Sequence, residues 1–362
     1  RSRGLGDVYK RQSMNTVDLC PVGALTSKDF RFKMRVWFLK ETKTIDVDCG
    51  TGTNITLWTR EDKVYRITPR QNDAVNSCWM PDSHRLNYKY INAETRIPQP
   101  VIRTDAEAPH RPSTWEPALA SAAEAVKRIA PNQLAIIASG RMTNEELYMV
   151  RHLAAQIGTD MVDIVPRMGE SDGMLISADR NPNTNGARLV LDIEPGSRLD
   201  AVREGVRSGS VKGILSLGED LISPEAGFTA EDLDKLDYLF MTAHSANETA
   251  RHADLVLPGV TYAEKFGTMI NVTGRIQRLN RAIQPIGYAR DDWQIFRDIT
   301  LLLGGNPALK DFNSALDILT AMSTEYGALN GVSWGSIGDG GQPILETGVT
   351  IPVVEREKNQ GR

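Results

Sequence analysis

The middle of the chain alternates short apolar runs with amphipathic stretches. Four apolar runs are bounded by Gly, Pro or polar residues: 133–139, 213–217, 238–243 and 254–257. Stretches with the apolar spacing of helices lie between and around these runs: 116–129, 143–157, 198–208, 230–236, 246–251 and 290–303. Short apolar strands that alternate with helices predict a parallel sheet covered on both faces, which is an α/β fold.

Two local patterns sharpen this prediction. The segment Thr143-Asn144-Glu145-Glu146 opens one of the amphipathic stretches. It predicts a capping box, in which the Thr and the last Glu side chain satisfy the first amides of the helix. Further upstream, residues 54–68 alternate apolar and polar positions around Glu61-Asp62-Lys63. This alternation predicts a β-hairpin that pairs residues 54–59 with 64–68.

Other segments carry little periodic pattern. Residues 94–115 are rich in Pro and polar residues, so we predict a linker. Beyond about residue 331 the chain is Gly-rich and weakly patterned, which predicts an irregular tail. The first twelve residues, RSRGLGDVYKRQ, show no globular pattern and resemble translated sequencing adaptor. We therefore expect residues 1–12 to be non-native and the native sequence to begin in mid-protein.

Composition narrows the class of protein. With 362 residues, of which 41% are hydrophobic and 24% charged, the chain can build two or more globular domains. A formal net charge of -4 gives no basic surface for nucleic acid. No run approaches the roughly 18 consecutive apolar residues of a membrane span, so any membrane association would go through partner subunits. Three cysteines and no signal peptide indicate a reducing compartment without a disulfide framework.

Residues 46–85 have the spacing of a [4Fe-4S]-binding module but not its ligands. A C-x₂-C-x₃-C pattern would fall on Asp46, Cys49 and Thr53, and a fourth ligand position falls on Pro81. Iron–sulfur clusters are normally held by four cysteine thiolates, and one of these four positions is a cysteine. We therefore predict that this module binds no cluster and serves as a scaffold.

Other ligand sets in the same region are weaker. A rearranged metal site formed by Cys49, Cys78 and His84 is kept as an alternative. Asp46 and Asp48 offer oxygen ligands, which suit an iron–sulfur cluster poorly. No role is assigned to His84 from the sequence alone.

Several segments in one order resemble a known family. The first is Cys20-Pro21-Val22-Gly23-Ala24-Leu25-Thr26, followed by Phe30-Arg31-Phe32-Lys33. Further matching segments are Arg66-Ile67-Thr68-Pro69-Arg70, Gly218-Glu219-Asp220, Ala263-Glu264-Lys265-Phe266-Gly267-Thr268 and Asn271-Val272-Thr273-Gly274-Arg275-Ile276-Gln277-Arg278. Together they resemble the large iron–sulfur subunit of respiratory NADH:quinone oxidoreductase over residues 18 to about 300. The fold implied is a small β-rich degenerate [4Fe-4S] module followed by a molybdopterin-oxidoreductase-like parallel-sheet domain.

The resemblance implies a role in electron transfer for one residue. Cys20 would be the last ligand of a [4Fe-4S] cluster, and the other three ligands would lie in a part that this chain lacks. A [2Fe-2S] cluster would also lie in that missing part. The alternative is that Cys20 is a small buried side chain, as free cysteines usually are. No catalytic residue is expected in this chain.

The resemblance also implies partners and a location. The partners would be other subunits of the peripheral arm, including the flavin- and NADH-binding subunit. The complex would place the chain on the cytoplasmic side of a bacterial inner membrane, or on the matrix side in mitochondria. Neither nucleic acid binding nor direct membrane insertion is expected.

The sequence departs from the catalytic members of the superfamily. Only about 70 residues separate Glu146 from Gly218, where those enzymes carry a long central section with a metal ligand. We therefore expect no bound molybdopterin. Gly218-Glu219-Asp220 is interpreted as a structural turn, and Glu264-Lys265 as a solvated or interdomain ion pair. The alternatives are a catalytic molybdopterin oxidoreductase, such as a formate dehydrogenase α chain, and the diaphorase-side subunit of a bidirectional hydrogenase.

These interpretations divide the chain into segments. After residues 1–12, the predicted order is the end of an Fe–S-binding domain, the degenerate module, a linker, the shortened α/β domain and an irregular tail. Their predicted bounds are 13–41, 42–97, 98–115, 116–310 and 311–362.

Overall fold

The computed structural model describes residues 13–20, 23–103 and 108–360. Residues 1–12, which the sequence predicts to be non-native, lie outside the described residues, and so does Pro21. The helices are α1 (Asn15–Asp18), α2 (Asp82–Leu86), α3 (Trp115–Arg128), α4 (Asn144–Ile157), α5 (Thr184–Leu191), α6 (Leu199–Ser208), α7 (Ala230–Leu233), α8 (Glu248–His252), α9 (Asp292–Leu302), α10 (Ala315–Glu325), α11 (Trp334–Ile337) and α12 (Pro352–Gln360). The strands are β1 (Lys40–Ile45), β2 (Asn54–Arg60), β3 (Lys63–Pro69), β4 (Val101–Ile102), β5 (Arg111–Pro112), β6 (Leu134–Ala138), β7 (Val162–Ile164), β8 (Gly213–Leu217), β9 (Tyr238–Ala243), β10 (Leu255–Pro258), β11 (Gly267–Ile270), β12 (Arg275–Leu279) and β13 (Gln342–Pro343).

The predicted β-hairpin is confirmed. Strands β2 and β3 pair antiparallel around Glu61 and Asp62, which have φ angles of 51° and 54°. Two successive residues in this left-handed region form the tight turn that matches the twist of a hairpin. Strand β1, which the sequence did not predict, pairs antiparallel with β2 and completes a three-stranded sheet.

The predicted parallel sheet is also confirmed. It has seven strands in the order β5-β4-β10-β9-β8-β6-β7, and its five strands from β10 to β7 run parallel. Alternate side chains of each strand point to opposite faces. Ile136 therefore lies in one apolar cluster and Ile137 in the other, with helices covering both faces. Complete burial on both sides explains why these strands read as continuous apolar runs.

The segment predicted as a linker belongs to this sheet. Strand β4 pairs antiparallel with β10, and β5 pairs antiparallel with β4. Each of these strands is two residues long, so no alternation could be read from the sequence. Of the prolines that suggested a linker, Pro112 lies in the outermost strand β5, which tolerates a missing backbone donor.

The prediction of an irregular tail from residue 311 onward is wrong. Helix α10 places Ile318, Leu319 and Met322 in the main apolar cluster. Strand β13 pairs with β12 and extends the sheet of β11 and β12. Beyond it, Ile351 at the start of α12 joins a small buried cluster with residues of the N-terminal half. In α10 the buried residues Ala315, Ile318, Leu319 and Met322 have the spacing of a helix, which the prediction overlooked. Beyond residue 331 the apolar positions are few and separated by Gly, so they carry no period.

The ends of the helices follow local chemistry. In α4, the Thr143 hydroxyl accepts from the Glu146 amide and the Glu146 carboxylate accepts from the Thr143 amide, as predicted. Helix α7 ends at Leu233, earlier than the predicted end at residue 236.

Among the described residues, the helices fall short of the length and apolar character that crossing a membrane would require.

Candidate functional site

Cys20 lies in the loop that follows α1. Its side chain is half-buried and lines a cavity of about 440 Å³, together with Asp18, Arg66 and Arg85. The loop turns at Gly23, whose φ of +64° favours glycine and whose amide donates to the Cys20 carbonyl at 3.3 Å. Among the described residues, Cys20 belongs to no group of three or more metal-ligating side chains. One thiolate fits one ligand position of a cluster, so this part of the chain does not complete a cluster site.

The positions expected for a second cluster form a different arrangement. Asp46, just after β1, and His84, in α2, are both buried, and the carboxylate Oδ2 lies 2.5 Å from imidazole Nδ1. Burial alone would lower the pKa of His84, but the Asp46 carboxylate raises it above its usual value. Asp48 accepts a hydrogen bond from the Asn87 amide at 2.7 Å. Burial, with the nearby Asp46 charge, raises the pKa of Asp48 to about 7.

The two cysteines of this module are not placed as cluster ligands. Cys49 is fully buried, and its Sγ lies 4.0 Å from the Leu175 carbonyl oxygen. Burial and the Asp46 charge raise the pKa of the Cys49 thiol to about 11, which keeps the sulfur protonated at neutral pH. Cys78 is half-buried. A [4Fe-4S] cluster needs four thiolates, so the donor set of residues 46–81 does not fit one.

The alternative site of Cys49, Cys78 and His84 is not formed. The group of three ligating side chains found among the described residues is Asp46, Asp48 and His84. His84, to which the sequence assigned no role, is thus the hydrogen-bond partner of Asp46. The two residues are 38 positions apart, and no local pattern links them.

The carboxyl ends of the parallel strands form the position where α/β sheets bind ligands. A small cavity of about 90 Å³ lies here, lined by Gly218, Gly259, Lys265 and Asp292 among others. Ligand pockets commonly have volumes of about 300–1,000 Å³. This cavity alone is therefore smaller than a pterin dinucleotide requires.

Buried ion pairs fill the surroundings of this cavity. The Lys265 ammonium donates to both carboxylate oxygens of Glu146 at 2.8 Å. Burial would lower the pKa of Lys265, but the Glu146 charge raises it above its usual value. Burial and the Glu146 charge raise the pKa of Asp292 to about 7. The charges at the sheet edge are thus engaged by fixed protein partners.

Glu264 and Lys265 do not form the solvated ion pair that was one of the two predicted possibilities. Glu264 and Lys265 are both buried and pair with different partners. Glu264 Oε2 accepts from the Arg96 guanidinium at 2.6 Å, which joins the predicted module to the α/β domain. Arg96 also donates to the carbonyls of Ile91 and His244, each at 2.9 Å. The interdomain ion pair therefore exists, but it joins Glu264 to Arg96.

Gly218-Glu219-Asp220 forms a tightly held turn. Gly218 has a φ of +71°. Glu219 is buried and accepts two hydrogen bonds from the Arg167 guanidinium, one at 2.9 Å. The Asp220 carboxylate accepts from the Thr249 hydroxyl at 2.6 Å. The side chains of this turn are used for internal contacts, in agreement with a structural turn.

No sequence pattern indicated the cationic partners of Glu264 and Glu219. Arg96 and Arg167 lie in segments without a recognised motif, and their partners are 168 and 52 positions away. A histidine in a module with an aspartate at an expected ligand position is a candidate ligand, and this signal could have drawn attention to His84, to which no role was assigned.

Two family models match the chain. The model described as NADH-ubiquinone oxidoreductase NDSU1/NuoG-like, 4Fe-4S domain, matches residues 39–89. The model described as Molybdopterin oxidoreductase matches residues 166–300. The two matches follow each other along the chain in the order that the sequence predicted.

Curated relatives include subunits of one respiratory enzyme. The NADH-ubiquinone oxidoreductase 78 kDa subunit of Candida albicans is 26% identical over 85% of this chain and 59% of its own length. The corresponding Neurospora crassa subunit is 26% identical over 81% of this chain and 55% of its length. A subunit of the NADH-quinone oxidoreductase of Rickettsia conorii is 24% identical over 79% of this chain and 59% of its length. The chain thus spans between 55% and 59% of the length of these relatives.

Among solved structures, the acetylene hydratase of Pelobacter acetylenicus has a similar fold. The TM-score is 0.54 at 10% sequence identity, over 82% of this chain and 73% of that one. At this identity the similarity concerns the fold alone, and it confirms the predicted molybdopterin-oxidoreductase-like architecture.

Proposed function

We propose that this chain, which joins a NuoG-like 4Fe-4S domain to a molybdopterin oxidoreductase domain, is part of the large subunit of an NADH:quinone oxidoreductase. The observation that carries this proposal is the identity of about one residue in four with such subunits across most of the chain. In this role the intact subunit relays electrons from NADH towards quinone through iron–sulfur clusters. The partners are the other subunits of the peripheral arm, including the one that binds flavin and NADH.

Within this role, Cys20 is the residue of the chain that would bind one of the electron-transferring clusters. Its thiolate would hold one iron of a [4Fe-4S] cluster, and the cluster would supply one-electron transfer. The half-buried position of Cys20 at the wall of a cavity supports this assignment. The other ligands, and a [2Fe-2S] cluster, belong to sequence outside this chain.

The rest of the chain acts as a scaffold in this proposal. At the expected ligand positions, Asp46 pairs with His84 instead of binding a cluster, and Cys49 is buried and protonated. The edge of the parallel sheet is filled by ion pairs around a small cavity. Both features support a fold that is retained without a cluster or a pterin. The location that follows is peripheral, on the cytoplasmic or matrix side of the membrane.

Low-temperature EPR and metal analysis of the full-length subunit that contains this chain test the proposal. We expect Cys20→Ala to abolish one [4Fe-4S] signal. The matched control Cys49→Ala should leave the spectrum unchanged, because that thiol is buried and protonated. A spectrum unchanged by Cys20→Ala would contradict the role of Cys20.

The same preparation separates the alternatives. Bound molybdenum would favour a catalytic molybdopterin oxidoreductase and contradict the scaffold role. Co-purification with hydrogenase subunits would favour the diaphorase side of a bidirectional hydrogenase. Co-purification with membrane-bound quinone-reducing subunits is the outcome that we expect.

A further inference from the structure

Three metal-ligating side chains meet beside the β-hairpin sheet. One ligand atom from each of Asp46, Asp48 and His84 lies within 4.8 Å of those of the others. Metal–ligand distances of about 2.0–2.2 Å allow atoms this close to share one ion after small side-chain movements. The hydrogen bond of 2.5 Å between Asp46 and His84 holds these two side chains together, and an ion bound by both would replace the shared proton.

An unpartnered buried hydroxyl lies on the same face. The Asp46 amide donates to the Thr53 carbonyl at 2.8 Å, which continues the β1–β2 pairing by one position. Residues directly opposite in an antiparallel pair place their side chains on the same face, close together. Thr53 is fully buried, and among the described residues its Oγ1 has no hydrogen-bond partner. A buried polar atom without a partner calls for a water molecule or an ion next to it.

The charges of the site favour a cation. Asp46 and Asp48 place two carboxylates beside one imidazole. Three arginines line the adjoining cavity: Arg167 pairs with Glu219, Arg180 donates to the Glu170 carbonyl at 2.7 Å, and Arg141 is exposed. A divalent ion between the carboxylates would balance both charges and leave His84 as a neutral nitrogen ligand.

The site also has access to water. Asp48 and His84 line an open cavity of about 580 Å³. Three protein ligands leave at least one coordination position, which water from this cavity can fill. A mixed set of carboxylates and imidazole suits Mn²⁺, Fe²⁺ or Zn²⁺ better than Ca²⁺ or Mg²⁺, which prefer oxygen ligands alone.

We propose that Asp46, Asp48 and His84 bind a single divalent transition-metal ion, with the Thr53 hydroxyl oriented towards its coordination shell. The ion is held by oxygen and nitrogen, and the Cys49 sulfur takes no part. This site is independent of the cluster assigned to Cys20 and of the respiratory role.

Titration of the full, chelator-treated chain with Mn²⁺ tests the site, because bound Mn²⁺ loses the six-line EPR signal of the free ion. We expect one Mn²⁺ per chain, displaced by Zn²⁺. Asp48→Asn keeps the size of the side chain and should weaken binding about tenfold or more, since even loss of a residue that only supports a ligand costs that much. The matched control is Asp73→Asn, at an exposed aspartate of the same module, and it should bind as the unchanged chain does.

Two further measurements make the result decisive. Co²⁺ bound at the site should show d–d absorption without a thiolate charge-transfer band, and such a band would contradict the ligand set. If Asp48→Asn lacks the circular dichroism of the unchanged chain, His84→Asn replaces it in the same titration. Failure of the unchanged chain to bind Mn²⁺ and Zn²⁺, or equal affinity in a folded ligand variant, overturns the proposal.

Discussion

Buried ionisable side chains in this protein are held by fixed partners, and Glu145 is a clear case. It is fully buried in the first turn of α4, and its carboxylate accepts from the Thr268 amide and hydroxyl, each at 2.8 Å. Despite these hydrogen bonds, burial raises the pKa of Glu145 to about 7. The folded state therefore holds a proton at this site over a pH range in which the unfolded chain has lost it.

This difference predicts a dependence of stability on pH. A carboxyl with a raised pKa in the folded state stabilises the fold at low pH, and this contribution decreases as pH rises from about 4.5 to about 7. The decrease is on the order of 3 kcal/mol for a shift of this size. Glu145→Gln should remove that part of the slope. Urea unfolding at several pH values measures the free energy of unfolding in both proteins.

The control for this measurement is Glu124→Gln, because the Glu124 side chain is 70% exposed. It should leave the pH dependence of the unfolding free energy unchanged. If Glu145→Gln gives the same slope as the unchanged chain, the carboxyl is not desolvated in the folded protein.

Contacts could be predicted from the sequence where the interacting residues lie close together along the chain. The Thr143 and Glu146 capping box was predictable because both partners lie within one turn of helix. The Asp46–His84 pair was not predictable, because the fold brings together two segments with no shared pattern. The role of Cys20 was inferred from its surrounding motif and stays a prediction, whereas the residues that line its cavity could not be inferred from the sequence.

The same contrast applies to secondary-structure elements. Strands β6, β8, β9 and β10 were predicted because burial on both faces leaves a continuous apolar run. Helix α12 was not, since its apolar residues are few and its remaining positions are mostly charged or polar. Its position is set by tertiary contacts: Ile351, Val353 and Val354 are buried with Val75 and Leu175.

Removal of this helix should therefore destabilise a distant part of the chain. A chain that ends at residue 350 would expose Val75 and Leu175 and lose the hydrogen bond of 2.9 Å from Trp79 Nε1 to Glu357. Full burial of an aliphatic side chain contributes about 1.5–3 kcal/mol, so we expect a loss of several kcal/mol. Urea unfolding followed by tryptophan fluorescence measures it.

The matched control is Lys358→Ala, because the side chain of Lys358 is 65% exposed. This variant should unfold at the same urea concentration as the unchanged chain. An unfolding midpoint of the shortened chain equal to that of the full chain would show that α12 does not support the fold.

At the level of the whole molecule, the hairpin module and the α/β domain are joined by buried polar contacts. The Arg96–Glu264 ion pair lies between them, and Gln277 Nε2 donates to the Gly52 carbonyl at 2.9 Å. The two parts also share one apolar cluster, in which Ile45 and Leu57 are buried with Leu279. We therefore expect the two parts to unfold together in the intact chain.

Arg96→Met should break this coupling. Removal of one partner from a buried ion pair leaves the other charge uncompensated, which typically costs about 3–5 kcal/mol. In a background in which Trp58, in β2, is the one tryptophan kept of the six, fluorescence reports on the module, and far-UV circular dichroism reports mainly on the helices of the α/β domain. We expect the two urea transitions to separate in Arg96→Met.

Arg128→Met is the control, since the Arg128 side chain is 78% exposed and pairs with Glu124 in its own helix. Its two transitions should coincide, as they do in the unchanged chain. Coincident transitions in Arg96→Met would mean that other contacts couple the module to the domain.

The short antiparallel pair at the border of the seven-stranded sheet has a consequence for association between molecules. A free edge of β10 would offer unpaired amides and carbonyls as a template for a strand of another chain. Instead, β4 covers that edge, and the outermost β5 is only two residues long and includes Pro112, which has no amide hydrogen. At the opposite border, β7 is three residues long. The sheet therefore resists edge-to-edge aggregation between copies of the chain.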